Sequence, residues 1–262
     1  MLGRLKGFIV LTQKVLKWLK KTGFPLEMET AASFRAAGFE IRQSYSYPDP
    51  QSDKGREIDV LAIDPDSIGI IEISFILECK SSKKPWVVLT SEDALANYNR
   101  LFAFAVTSEA ARKSLVSRLP EFGAFKPYIS RPSQGGYGFR QAFSENNDPA
   151  YTAAIGVIKA CAGLARDRQE AKIPSLSFVF PVIVVDSPLF ECSLQSDGGL
   201  ELKEVEESEF LFSAHIPDYI GTCVRVIKKG QLNAFAKEAK ILANTLRAEL
   251  KKDEDAILKD LF

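Results

Sequence analysis

From Leu176 to Val185 the chain is apolar almost without a break, with Ser177 the one polar side chain. A strand with one face in water would alternate, so this stretch reads as a strand covered on both faces. Such a strand needs other layers packed against it, which points to an α/β architecture with a sheet between helices. The rest of the sequence supplies candidates for both. Residues from Leu5 to Lys21 read as an amphipathic helix, with Val15, Leu16 and Leu19 on one side and lysines between them. Gly23 and Pro25 end it, and a second helix is expected over Glu27 to Ala37, stopped by Gly38. Strands are predicted over Phe39 to Tyr47, Ile58 to Ile63, Ile68 to Lys80 and Trp86 to Thr90.

Beyond Thr90 the pattern turns helical from Ser91 to Leu119, and Pro120 to Phe139 reads as a long loop. Tyr151 to Ala165 is an apolar helix. Glu191 to Ser193 and Leu200 to Val205 suit an edge hairpin around Asp197 to Gly199, and Cys223 to Val226 a last strand. Gln231 to Leu250 closes as a helix, followed by a charged tail from Lys251 to Phe262. With no internal repeat, the expected organisation is a single domain over 1–262. Its core motifs fall in 25–90, and 91–262 completes or elaborates that core.

The chain has 262 residues, 46% of them hydrophobic and 26% charged, which excludes disorder and fibrous architectures. Its 34 basic and 34 acidic residues cancel, so any nucleic-acid surface is a local patch rather than a global field. Met1 to Gly23 is basic and holds no acid, whereas Glu201 to Glu209 is acidic with Lys203 as its only base. Cys79, Cys161, Cys192 and Cys223 lack CxxC spacing, so a reducing cytoplasm is expected. The single histidine, His215, excludes a multi-histidine metal site and argues against a serine–histidine triad. Phe8 to Leu11 is too short for a signal peptide, and no stretch is long enough to span a bilayer, so no membrane partner is expected.

Chemistry concentrates in Gly55 to Ala62 and Ile70 to Lys80. Residues two apart on a strand share a face, so Glu78 and Lys80 point together and Cys79 points oppositely. A short turn joins this strand to the one before it, and antiparallel pairing brings Asp59 near Glu78. Two carboxylates and one lysine in an apolar sheet leave an uncompensated negative charge. A divalent cation such as Mg²⁺ or Mn²⁺ would relieve it, with oxygen ligands and open positions for water and phosphate.

These residues resemble the PD-(D/E)xK nuclease superfamily, the restriction-endonuclease-like fold. Glu57, Ile58 and Asp59 stand where that family carries Pro-Asp, and Glu78, Cys79 and Lys80 match its (D/E)xK. Glu27 fits the glutamate the family places on the preceding helix, with Glu29 as the alternative. The resemblance covers Pro25 to Thr90. It implies a mixed sheet flanked by helices with a C-terminal elaboration, and a metal-dependent nuclease with DNA favoured over RNA. Glu27, Asp59, Glu78 and Lys80 would be catalytic. Asp59, Glu78 and the Cys79 backbone carbonyl would hold the ion, and a homodimer is conceivable. The acidic neighbours Glu57, Asp64, Asp66 and Glu72 leave open which carboxylates converge.

Lesser candidates are Ser81, Ser82, Lys83 and Lys84 as phosphate contacts, against a plain solvated turn. Trp86 reads as core more than as a base-stacking platform. Gln134 to Gly138 reads as a flexible loop, with Arg131 and Arg140 beside it as candidate phosphate contacts. His215 reads as structural. Two alternatives to the nuclease stand: an inactive module of the same fold serving as a nucleic-acid-binding or assembly scaffold, and an effector nuclease switched on by a partner or ligand.

Overall fold

The computed structural model describes residues 2–49, 51–52, 54–94, 103–117, 135–145, 148–169, 174–216 and 220–260. Helix α1 (Leu2–Leu19) is followed by α2 (Phe24–Ala36). Pro25 sits inside the first turn of α2, where its missing N–H removes no helical bond, so it starts that helix as well as ending the first. Gly38, at φ 92°, takes the left-handed conformation and lets the Phe39 N–H donate back to the Phe34 carbonyl.

The strands β1 (Glu40–Pro48), β2 (Gly55–Ile63) and β3 (Ile71–Lys80) form an antiparallel meander. β3 starts later than the sequence suggests because Asp66 holds the turn open, accepting the N–H groups of Ile68 and Ile71. Next come β4 (Trp86–Ser91), the short β5 (Val106–Thr107), α3 (Glu109–Ser117) and β6 (Gly135–Gln141). α4 (Pro149–Gln169) leads to β7 (Leu176–Val185), β8 (Leu189–Leu194) and β9 (Leu200–Val205). β10 (Glu207–Ala214), β11 (Ile220–Lys228) and α5 (Leu232–Lys259) close the chain.

The fold is mixed α/β, with a large mixed sheet flanked by helices. Its strand order is β1-β2-β3-β7-β11-β10-β6-β4-β8-β9, and β5 pairs with β7. β7 runs parallel to β3 along its whole length and parallel to β11 at its C-terminal end. Every residue of β7 is buried, as its apolar run requires. Phe178, Phe180, Val182 and Val184 join the cluster under α2 and α5, while Val179, Ile183 and Val185 join the one under α4. Each large side chain withdrawn from water this way contributes about 2 kcal/mol. Pro181 lies where the edge of β7 passes from β5 at Val179 to β11 at Val182, an interval that tolerates a missing donor.

Three sequence expectations are corrected. Gly135 to Phe139 is strand rather than loop, because Gly136 lets β10 approach closely; a Cβ there would stand 2.3 Å from the Glu209 carbonyl oxygen. The helical pattern from Ser91 is interrupted: Ser91 ends β4, β5 intervenes at Val106–Thr107 and α3 follows from Glu109, while 95–102 and 118–134 lie outside the described residues. The charged tail is helical to Lys259, since Leu250 and Glu254 are buried and Ile257 and Leu258 pack on the core. β10 went unread because its glutamates hide a buried alternation of Ser208, Phe210 and Ala214.

Candidate active site

The β2–β3 ladder runs from Ile63–Ser74 to Val60–Leu77 and stops one residue short of Asp59. The β1–β2 ladder skips the same place: Gln43–Val60 and Tyr45–Ile58 pair, whereas Ser44 does not, and its φ is 50°. Both strands turn over here. Val60 and Ala62 pack toward α2 and α5, yet Ile58, two residues from Val60, packs toward α4. On regular strands they would share a face. The twist sends the Asp59 side chain toward β3, into the place the next ladder bond would occupy. There its Oδ2 accepts the Cys79 N–H at 2.7 Å. Because a strand residue sends its N–H and C=O out on one edge, the Cys79 carbonyl also faces this opening.

Cys79 points its thiol into the core, 3.5 Å from the Thr30 hydroxyl of α2, and burial pushes the thiol's pKa up. Only its carbonyl is therefore placed for a ligand role. Thr30 also ties α2 to β3, one helical turn beyond Glu27. Lys80 donates from Nζ to Glu78 Oε1 at 2.5 Å, and both side chains are half-buried.

Burial raises the Glu78 carboxyl above its usual range, the Asp59 charge raises it further, and Lys80 offsets only part. Asp59 is raised by burial despite the Cys79 N–H and Lys80. Glu27 is raised by burial first and then by Asp59, Glu57 and Glu78. Burial alone would lower Lys80, but Glu78 outweighs it and raises the ammonium, so Lys80 stays charged. Glu27, Asp59, Glu78 and Lys80 thus lie within one another's fields at the opened end of the hairpin.

The neighbouring acids separate cleanly. Glu29 is exposed and pairs with Lys229 at 2.7 Å, whereas Glu27 lies in the fields of Asp59 and Glu78. Asp64 and Asp66 sit at the far, turn end of the hairpin, paired with α5 cations. Glu57 is exposed and contributes to the fields at Glu27 and Asp59. The Ser81 hydroxyl donates to Asp186 Oδ2 at 2.5 Å and the Ser82 N–H to Oδ1 at 2.8 Å, so Asp186 braces the strand exit. Sequence reasoning missed Asp186; its place directly after a buried strand was the available signal.

Lys84 donates to the Phe143 carbonyl, and Lys83 is exposed. Trp86 is 1% exposed and stacks on Phe139 at 5.1 Å, which makes it core. Arg140 donates to the Phe139 carbonyl and approaches Asp148, while Arg131 and Gln134 lie outside the described residues. The His215 carbonyl accepts the Gln51 side chain.

Among the described residues no three His, Cys, Asp or Glu side chains form a metal cage by themselves. No family model, curated protein or solved structure matches this chain.

Proposed function

We propose that this chain is a metal-dependent nuclease of the restriction-endonuclease-like kind, hydrolysing phosphodiesters of nucleic acid, with DNA ahead of RNA. The observation that carries the reading is the opening of β2 from β3 at Asp59. It sets two carboxylates with raised pKa values beside one ammonium and a strand carbonyl. That donor set fits a hard divalent ion that keeps water and phosphate in its remaining positions, as Mg²⁺ and Mn²⁺ do. Asp59, Glu78 and the Cys79 carbonyl would hold it, with Glu27 acting from α2. When bound, the ion would supply positive charge to the phosphoryl oxygens and a more acidic water.

The protein's own groups have separable tasks. Lys80 remains protonated, so it donates a hydrogen bond and a charge to the attacking water or the phosphate instead of serving as a base. Glu78 fixes the direction of that ammonium through Oε1. The Cys79 N–H holds the Asp59 carboxylate in the plane of the sheet. Glu27 adds negative charge from the N-terminal turn of α2, where the helix dipole partly compensates it.

Cleavage of duplex, single-stranded and branched DNA and of RNA by the full chain in Mg²⁺ or Mn²⁺ tests this. Lys80→Ala should lower the rate by about 10²–10³-fold with an unchanged circular dichroism spectrum. Equal inactivity of wild type and variant on all four substrates would remove the enzyme reading. A second reading has its own observation: one oxygen each of Asp59 and Glu78 is already engaged by Cys79 and Lys80. That suits an inactive scaffold of the same fold. Calorimetric Mn²⁺ binding that Asp59→Asn weakens argues for the nuclease, and absence of binding for the scaffold.

A further inference from the structure

Every residue from Val10 to Trp18 is exposed. Leu11, Val15 and Trp18 recur at i, i+4 and i+7 and so make one stripe of α1, 46–59% exposed. The Trp18 ring lies 6.5 Å from that of Phe24 at the start of α2, and Met28 follows one turn on. Phe24 and Met28 are 47% and 64% exposed, so a bare apolar band continues across two helices. Lys14 and Lys17 lie along one side of it, and Lys20 and Lys21 follow in the closing turn, all exposed. α1 contains no acidic residue.

The chemistry narrows what covers this band. Nucleic acid would meet the lysines but leave the leucine, valine and tryptophan wet. A second copy of the chain would have to supply acids, and the glutamates of the acidic strip of β9 and β10 are partly engaged from within. Lys228 takes Glu204 and Glu206 at 3.1 and 2.8 Å, and Arg225 takes Glu207 at 3.1 Å. An anionic bilayer surface satisfies both halves of the helix at once, apolar side toward the acyl boundary and ammonium groups toward the headgroups. No described helix is long and apolar enough to cross a membrane, so the contact is with its surface.

We propose that α1 docks the protein on anionic phospholipid, laying Leu11, Val15 and Trp18 into the interface with the lysines along one side of the stripe bound to headgroups. This concerns surface binding, which the lack of a spanning segment in the sequence does not address.

Co-sedimentation of the full chain with phosphatidylcholine vesicles, with and without about a third phosphatidylserine, is the test. The chain should pellet with the anionic vesicles and stay in solution with the neutral ones. Replacing Lys14, Lys17 and Lys20 by glutamine should weaken binding by about a hundredfold, and Leu11→Ser, Val15→Ser and Trp18→Ser together should abolish it. Emission of Trp18 should shift to the blue with anionic vesicles, and the shift should vanish in Trp18→Phe while buried Trp86 still emits. None of these positions is in the core, so melting curves should match wild type. Equal recovery with both vesicle types and an unmoved emission would overturn the proposal. So would a dimer in sedimentation velocity that the triple serine variant dissolves, since a second copy would then be what covers the band.

Discussion

At its turn end the β2–β3 hairpin carries Asp64, 2% exposed, which accepts from Lys240 and from Arg247 at 2.5 Å, and Asp66, 3.1 Å from Arg247. At its open end Asp59, Glu78 and Glu27 share the field of one ammonium, Lys80, which contacts Glu78. One pair of strands therefore holds acids in two electrostatic conditions. At the turn, charge and hydrogen-bond valence are matched by α5, and the carboxylates clasp the terminal helix to the sheet. At the opening, negative charge exceeds what the protein balances. Matched buried charge reads as architecture, and unmatched charge held by neighbouring packing is the condition on which the proposed metal site rests.

The comparison breaks if the two ends respond alike to neutralisation. Asp64→Asn should cost about 3 kcal/mol in urea unfolding, because two partly buried cations lose their common partner. Asp66→Asn should cost about 1.5 kcal/mol at pH 7. Burial raises the Asp66 carboxyl, but the Ile68 N–H, Arg247 and the Ile71 N–H overcome this and hold it below its ordinary value of 3.8. Its stabilisation is complete above that ordinary value and disappears as pH falls through the lowered one. The variant's deficit should close only in that acid range.

Glu78→Gln should act oppositely, raising stability at pH 7 in metal-free buffer. Its folded-state pKa is raised above 4.5, so ionisation costs stability, fully so above the raised value and not at all below the ordinary one. The variant's gain should fade as pH drops toward 4.5. A Glu78→Gln protein that is less stable at pH 7 would show that Lys80 had fully balanced the open end.

Part of this was legible in the sequence for definite reasons. Alternation alone put Glu78 and Lys80 on one face and Cys79 on the other. The unbroken run to Val185 implied a strand with layers on both sides. Choosing Glu27 over Glu29 required the buried stripe of Leu26, Thr30, Ala31 and Phe34, which fixes the helix rotation. The turnover of both strands at Ser44 and Asp59 left no mark, because a serine at φ 50° is not announced by a glycine. Gly135 to Gly138 misled for the converse reason: glycines that signal loops also admit a close neighbouring strand.

The parallel partnership of β3 with β7 joins Ile71 to Leu176 and Lys80 to Val185, positions about a hundred residues apart, a contact order typical of slow folders. During synthesis the β1–β3 meander emerges long before the strand that seals its inner edge. Until then an apolar edge of β3 is open to other nascent chains. The hydrophobicity of β7 that makes the sheet's centre secure also means that this apolar partner is missing from β3 until late in synthesis.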